Sequence, residues 1–296
     1  MRHPVSDIAL QAYSWFRADG TMTMEEMRQG FDQMAPDPPE DITITEAEVG
    51  GVRGRWADAP GAGPAVVLHF HAGGYLMGSS FSHRDFGGRV SRASGARVLL
   101  LDYRLAPENK FPAALDDALA AYRALIKDEG VDPAKIVLSG DSAGGGLALA
   151  TTMVLRDEGD PVPAGVVTIS PFCDLAVTGD SIDARAALDP FVSRDGVQGS
   201  SDGYLQGADP TDPKASPLYG SFDRFPPMLM HVGTSEVLQD DSIRVAEKAR
   251  AAGVSVRLEP AYQMTHIYHL FAYDERVPEA QRDIDSMGEF VRSVTG

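Results

Sequence analysis

Six short runs of the chain, at 65–70, 97–101, 136–138, 166–169, 228–232 and 254–258, are most of them apolar throughout. A strand with one wet face alternates apolar and polar residues, so unbroken runs predict strands covered on both faces. Between the runs, near 82–94, 112–128, 143–157 and 240–252, and again near 278–293, the pattern switches to helical spacing. Ahead of them Ile42, Ile44 and Val49 lie in an extended segment, Gly50-Gly51 interrupts it, and a second segment resumes around Val52 to Trp56, which reads as an antiparallel hairpin. Strand and helix alternating in this way predict an α/β fold. Its sheet should be eight-stranded and mostly parallel, flanked by helices, with ligands at the C-terminal ends of the strands.

Two stretches fall outside that alternation. Val5, Ile8, Ala9, Ala12, Trp15 and Phe16 make one helical face, and a second short helix is predicted from Thr23, where Glu26 completes a capping box ahead of Met24, Met27 and Phe31. Pro36, Pro38 and Pro39 end it. The second stretch, 174–225, is rich in Gly, Asp, Ser and Pro, with weak helical pieces near 181–187 and 197–206. An insertion of this length between core strands is uncommon without a task, and a lid or pocket wall is the usual one.

With 296 residues, 43% hydrophobic and 23% charged, the chain has the composition of a globular protein rather than a disordered one. Its formal charge of −17 argues against nucleic acid or an anionic membrane as partners. The single cysteine, Cys173, leaves no intrachain disulfide and fits a reducing compartment. Residues 1–20 lack a basic region followed by an apolar run, and no window reaches the ~18 apolar residues of a membrane span, so a soluble cytoplasmic protein is expected. The outermost strand, at 254–258, offers an edge on which a homodimer could pair.

The chemistry gathers where apolar runs end. Ile136-Val137-Leu138 leads through Ser139-Gly140-Asp141-Ser142-Ala143-Gly144 into an Ala/Leu-rich helix. A G-x-S-x-G between strand and helix is the pattern of a nucleophile elbow: the serine projects from a strained turn, and the next N–H, of Ala143, is aimed where an oxyanion would form. His71-Ala72-Gly73-Gly74-Tyr75 follows the run at 65–70, and glycines there let N–H groups approach a substrate closely. Gly73 and Gly74 are thus expected to complete an oxyanion hole with Ala143.

A serine of this kind needs a base late in the chain and an acid between the two. His266 follows the last predicted strand, with His269 as the fallback. Glu236 lies in the turn after the 228–232 run. Asp240 is the second candidate acid, because Asp240 and Asp241 look like the first turn of a helix, where a carboxylate serves the helix N-terminus in any case. No H-E-x-x-H zinc motif is present, and neither cofactor nor metal is expected. Tyr75, Phe172, Tyr204 and the N-terminal aromatics are candidates to line a substrate pocket.

Four features together, His71-Ala72-Gly73-Gly74-Tyr75, Asp102-Tyr103-Arg104-Leu105-Ala106-Pro107-Glu108 with Phe111-Pro112-Ala113-Ala114, Gly140-Asp141-Ser142-Ala143-Gly144-Gly145, and the late His266, resemble the bacterial hormone-sensitive-lipase-like (family IV) carboxylesterases of the α/β-hydrolase superfamily. The resemblance runs from about residue 65 to the C-terminus. It implies an α/β-hydrolase domain over 41–296, a cap made of helices in 1–40 and the 174–225 insertion, and hydrolysis of short- to medium-chain acyl esters. Ala72 stands where the family usually has glycine, and Glu236-Val237-Leu238 where many members have Asp-Pro-Leu. A lactonase or amidase could use the same triad. A catalytically inactive ligand-binding protein is the alternative from another class. Acyl-chain preference and the physiological substrate are not written in the motifs.

Overall fold

The computed structural model describes residues 3–16, 21–190 and 192–296. Eight strands form one sheet in the order β1-β2-β4-β3-β5-β6-β7-β8: β1 (Thr43–Val49), β2 (Val52–Asp58), β3 (Val66–Phe70), β4 (Arg97–Leu101), β5 (Ile136–Asp141), β6 (Gly165–Ile169), β7 (Met228–Gly233) and β8 (Val256–Ala261). β1 pairs antiparallel with β2 and β2 antiparallel with β4, and all later pairings are parallel. This is the mostly parallel, eight-stranded sheet flanked by helices that the alternating pattern predicts.

Every residue of β3, β5, β6 and β7 is buried, which is why their sequences show no alternation. The two faces still differ. Val66, Leu68 and Phe70 of β3 pack with Ile136 and Leu138 of β5 against α4 (Ala113–Lys127) and α5 (Ala143–Glu158). Val67 and Val137 point the other way, toward α3 (Arg84–Ser94) and α9 (Pro278–Thr295). By the two-residue period of a strand, His69, Ser139 and Asp141 share that second face near the C-terminal ends of β3 and β5. His69 is in register with Ser139.

Two expected bounds shift. The final strand begins and ends later than 254–258 and contains Pro260, which an edge strand accommodates because its outer side needs no ladder hydrogen bond. The first helix, α1 (Pro4–Ala12), ends before Trp15 and Phe16, which lie beyond it. In α2 (Met24–Asp32) the capping box of Thr23 and Glu26 is formed.

Both N-terminal helices lie over loops at the strand ends. Val5, Ile8 and Ala9 of α1 pack on Met264, Tyr268 and Phe271, while Phe31 of α2 meets Ala72 and Ile267. Arg28 ties α2 down: its guanidinium donates to the Leu76 and Ala106 carbonyls, 2.9 Å each, and to Glu108 at 2.7 Å. The insertion contains α6 (Ser181–Ala184) and α7 (Arg194–Leu205), and Val197, Tyr204 and Leu205 join the main core. The helix following β7, α8 (Gln239–Ala251), anchors it from below: Asp241 accepts N–H bonds from Cys173 and Asp174 at 2.7 and 2.9 Å. Cys173 itself is buried and unpaired to sulfur. No helix among the described residues is long and apolar enough to cross a membrane.

Candidate active site

Ser142 stands between β5 and α5 with φ 52° and ψ −121°, a conformation that non-glycine residues occupy only under constraint. The constraint is visible in its neighbours. A Cβ on Gly144 would strike the Phe70 and His71 carbonyls, and one on Gly140 would strike Gly144, so strand, elbow and donor loop touch through backbone alone. Gly144→Ala is therefore expected to destabilise the protein by about 1–3 kcal/mol, the usual cost of overpacking. A Tm measurement checks this, and an unchanged Tm would contradict the contact.

The serine hydroxyl lies 2.9 Å from His266 Nε2. On the far side of the ring, Nδ1 is 3.5 Å from Glu236 Oε1, a loose contact. Glu236 is fully buried, and its other oxygen accepts from Gly233 N at 2.9 Å and Ser170 Oγ at 2.7 Å. Ser170 also accepts the Ile267 N–H at 3.2 Å, so one hydroxyl ties Glu236 to the loop carrying His266. Gly233 permits this closeness, since a Cβ there would meet the Met264 and Thr265 carbonyls. His269 turns away from the serine, stacked on His231 at 5.1 Å with 3.0 Å between ring nitrogens. Asp240 is spent on the insertion, accepting from Ser181 N at 2.8 Å.

Burial alone would depress the His266 pKa, but hydrogen bonding and charge from Glu236, followed by the charges of Asp189 and Asp141, outweigh it and raise the pKa above the ordinary 6.5. In any reaction where His266 must accept the serine proton, only its neutral form works. The rate should consequently rise with pH through a midpoint above 6.5, and a kcat/KM profile with an acid limb below that value would contradict the assignment.

Gly73, with φ 120°, and Gly74, with φ 63°, follow β3, and Ala143 is the first residue of α5. Their three N–H groups make no hydrogen bond among the described residues, which leaves them available to an oxyanion. The adjoining cavity, about 170 Å³, is lined by Ser142, Gly73 and Gly74 and, mainly, by apolar side chains from three regions. Tyr13, Trp15, Phe16 and Phe31 come from the N-terminal helices and their connection, Met77 and Phe172 from the loops after β3 and β6, and Val192 and Val197 from the insertion. Of the expected pocket residues, Phe172 and the N-terminal aromatics line this cavity. Tyr75 and Tyr204 do not: they are buried and stack on each other with centroids 3.8 Å apart. Two aromatic rings gain more by covering each other's faces than by facing water, and sequence spacing carries no sign of that pairing. A larger depression of about 600 Å³ near Arg156 and Asp212 has a charged lining without a histidine.

Two features escaped sequence reasoning. Asp189, from the insertion, accepts from Val192 N and Val237 N at 3.0 Å each, so it grips both the cavity wall and the turn of Glu236. His69, His83 and Asp141 form a buried cluster beside Ser142, the one trio among the described residues close enough to share a cation. Its members already face one another, with His83 Nε2 3.1 Å from Asp141 Oδ2 and His69 Nε2 3.2 Å from Oδ1. The Ala72 N–H also points at the His83 nitrogen, which a cation would repel.

A family model described as alpha/beta hydrolase fold matches residues 67–270. An acetyl-hydrolase of Streptomyces hygroscopicus is 40% identical over 259 residues, 88% of this chain and 84% of the relative. Among solved structures, an esterase from the bacterial hormone-sensitive lipase family superposes with a TM-score of 0.95 at 40% identity, covering 100% of both chains. The esterase EstE5, in a crystal soaked with p-nitrophenyl butyrate, gives a TM-score of 0.93 at 42% identity over 98% of each chain.

Proposed function

The chain belongs to the α/β-hydrolase family, in its hormone-sensitive-lipase-like branch of carboxylesterases, and we propose that it hydrolyses short- to medium-chain acyl esters through Ser142, His266 and Glu236. The observation that carries the catalytic assignment is the 2.9 Å contact of Ser142 Oγ with His266 Nε2 at a strained elbow, on the edge of an apolar cavity. His266 takes the hydroxyl proton as Oγ attacks the ester carbonyl. The N–H groups of Gly73, Gly74 and Ala143 hold the tetrahedral oxyanion, and the alcohol leaves with the proton from His266. Water then repeats the sequence on the acyl-enzyme. Glu236 orients the ring and stabilises its positive form.

The N-terminal helices and the 174–225 insertion act as a cap, in this reading, because they supply most of the cavity's apolar wall. Among the described residues that wall contains no lysine or arginine, which favours uncharged esters over anionic ones. The cavity's modest size, together with the names of the Streptomyces relative and the butyrate-soaked esterase, supports short acyl chains.

A ladder of p-nitrophenyl esters from acetate to palmitate, with lactones and anilides beside it, tests this. Acetate or butyrate should give the highest kcat/KM and palmitate the lowest. Preferential turnover of a lactone or an anilide would move the assignment to lactonase or amidase, and a maximum at palmitate would refute the short-chain reading.

A further inference from the structure

The proposed oxyanion hole is assembled from two separate pieces of chain, so its width depends on whatever spaces them. Gly73 and Gly74 ride on the loop after β3, while Ala143 rides on the elbow after β5. One side chain stands between the residues that immediately precede each piece. His83, fully buried at the N-cap of α3, places Nε2 3.1 Å from Oδ2 of Asp141, the residue before Ser142. The same nitrogen lies 3.4 Å from the amide of Ala72, the residue before Gly73.

A single ring nitrogen cannot donate to a carboxylate and accept from an amide at once, so the shorter contact sets the arrangement. Nε2–H donates to Asp141, and the Ala72 amide rests against the ring. Around this point the ring is fixed on several sides. Nδ1 is 2.9 Å from Ser82 Oγ, and Phe31 of α2 stacks over the ring with centroids 6.3 Å apart. His69 Nε2 lies 3.2 Å from the second oxygen of Asp141, and its Nδ1 lies 3.2 Å from Ser139 Oγ. Burial opposes the charge of Asp141, yet the two imidazoles opposite hold its carboxyl well below the usual range. The donor loop has a second brace, with Tyr103 donating its hydroxyl to the His71 carbonyl at 2.7 Å and stacking on the His71 ring at 4.2 Å. Of these groups only Phe31 and Ala72 line the substrate cavity; His83, Asp141, His69, Ser82 and Tyr103 do not.

We propose that His83 is a positioning residue: by donating to Asp141 of the elbow while its ring stands in contact with the Ala72 amide of the donor loop, it sets the distance between the two halves of the oxyanion hole. The inference rests on the assignment of Ser142, Gly73, Gly74 and Ala143 made above. It concerns the transition state rather than substrate binding, since the oxyanion occupies a position the ground-state carbonyl oxygen does not.

Two conservative amides separate the atoms of the ring. Glutamine places a donor near the Nε2 position and keeps the link to Asp141, whereas asparagine reaches only the Nδ1 side, toward Ser82. Active sites are counted first with a fluorophosphonate, and kcat is expressed per labelled site, so that misfolded protein does not enter the comparison. His83→Asn should lose about 30- to 100-fold in kcat with KM within about threefold, the scale of a sub-ångström misplacement of catalytic groups. His83→Gln should stay within about fivefold of the parent. Affinity for a trifluoromethyl ketone, whose adduct carries an oxyanion, should fall in parallel with kcat/KM across the set. A purely structural role would lower the labelled fraction or the Tm and leave kcat per site and the ketone affinity unchanged, and that result overturns the proposal. So does equal activity of the two amides, or a stoichiometric divalent metal in the purified protein whose removal reproduces the His83→Asn effect. Failure of the fluorophosphonate to label Ser142 in the parent would instead refute the underlying site assignment.

Discussion

Ser142→Ala is expected to lower kcat on p-nitrophenyl butyrate by about 10⁶-fold, the scale of losing the nucleophile of a serine triad. The substitution is unusually clean here. Alanine keeps the Cβ, so the φ of 52° is neither relieved nor worsened, and the closely packed backbone of Gly140 and Gly144 stays where it is. Removed is the oxygen 2.9 Å from His266 Nε2, at the edge of the cavity, where water can take its place. Tm should remain within a few degrees, and covalent labelling by a fluorophosphonate should disappear. Residual catalysis of about 10³- to 10⁴-fold over water can persist from the oxyanion donors and binding alone. Turnover within tenfold of the parent would dispose of Ser142 as nucleophile.

The carboxylates give the second large effect. Glu236→Gln is expected to reduce kcat by about 10³- to 10⁴-fold, the range seen when the orienting acid of a triad is neutralised. Glutamine preserves the size of the side chain and can still accept from Gly233 N and Ser170 Oγ, but no longer supplies negative charge behind His266. Because Glu236 is the foremost group raising the pKa of His266, the acid limb of the pH profile should also move to lower pH. Asp240→Asn should change kcat by less than about threefold, since Asp240 lies outside the triad geometry and holds Ser181 instead. A larger loss for Asp240→Asn than for Glu236→Gln would reverse the choice of acid. Asp189→Asn falls between them: its carboxylate reaches the Glu236 turn through Val237 N and adds its charge to the field at His266.

The alternation of apolar runs with helical spacing carried the sheet, the helices and the chain order of elbow, acid and base. Those features are local: whether a run is buried on both faces is recorded in its own residues, and a Gly-flanked serine between strand and helix implies its turn. Even the choice of Glu236 over Asp240 followed from local position, in the turn itself or within the helix that begins at Gln239. Where a rule had an exception at the sheet edge, as for Pro260 in β8, the predicted bounds drifted by a few residues.

Contacts between segments distant in sequence are a different matter. The pairing of Tyr75 with Tyr204, the grip of Asp189 on two backbone amides and the bridge of His83 between Ala72 and Asp141 join residues separated by 129, 48 and 69 positions or fewer. Nothing in the spacing of any one segment states which way such side chains point. Their directions follow from how α3, α2 and the insertion settle on the sheet, a balance of packing over the whole chain. The sequence alone therefore determined the fold and pointed to Ser142, Glu236 and His266 in that order, because each sits on a loop that follows its own strand. Only the tertiary structure decided how those loops are braced and what lines the cavity, because bracing and lining are properties of surfaces that meet after folding.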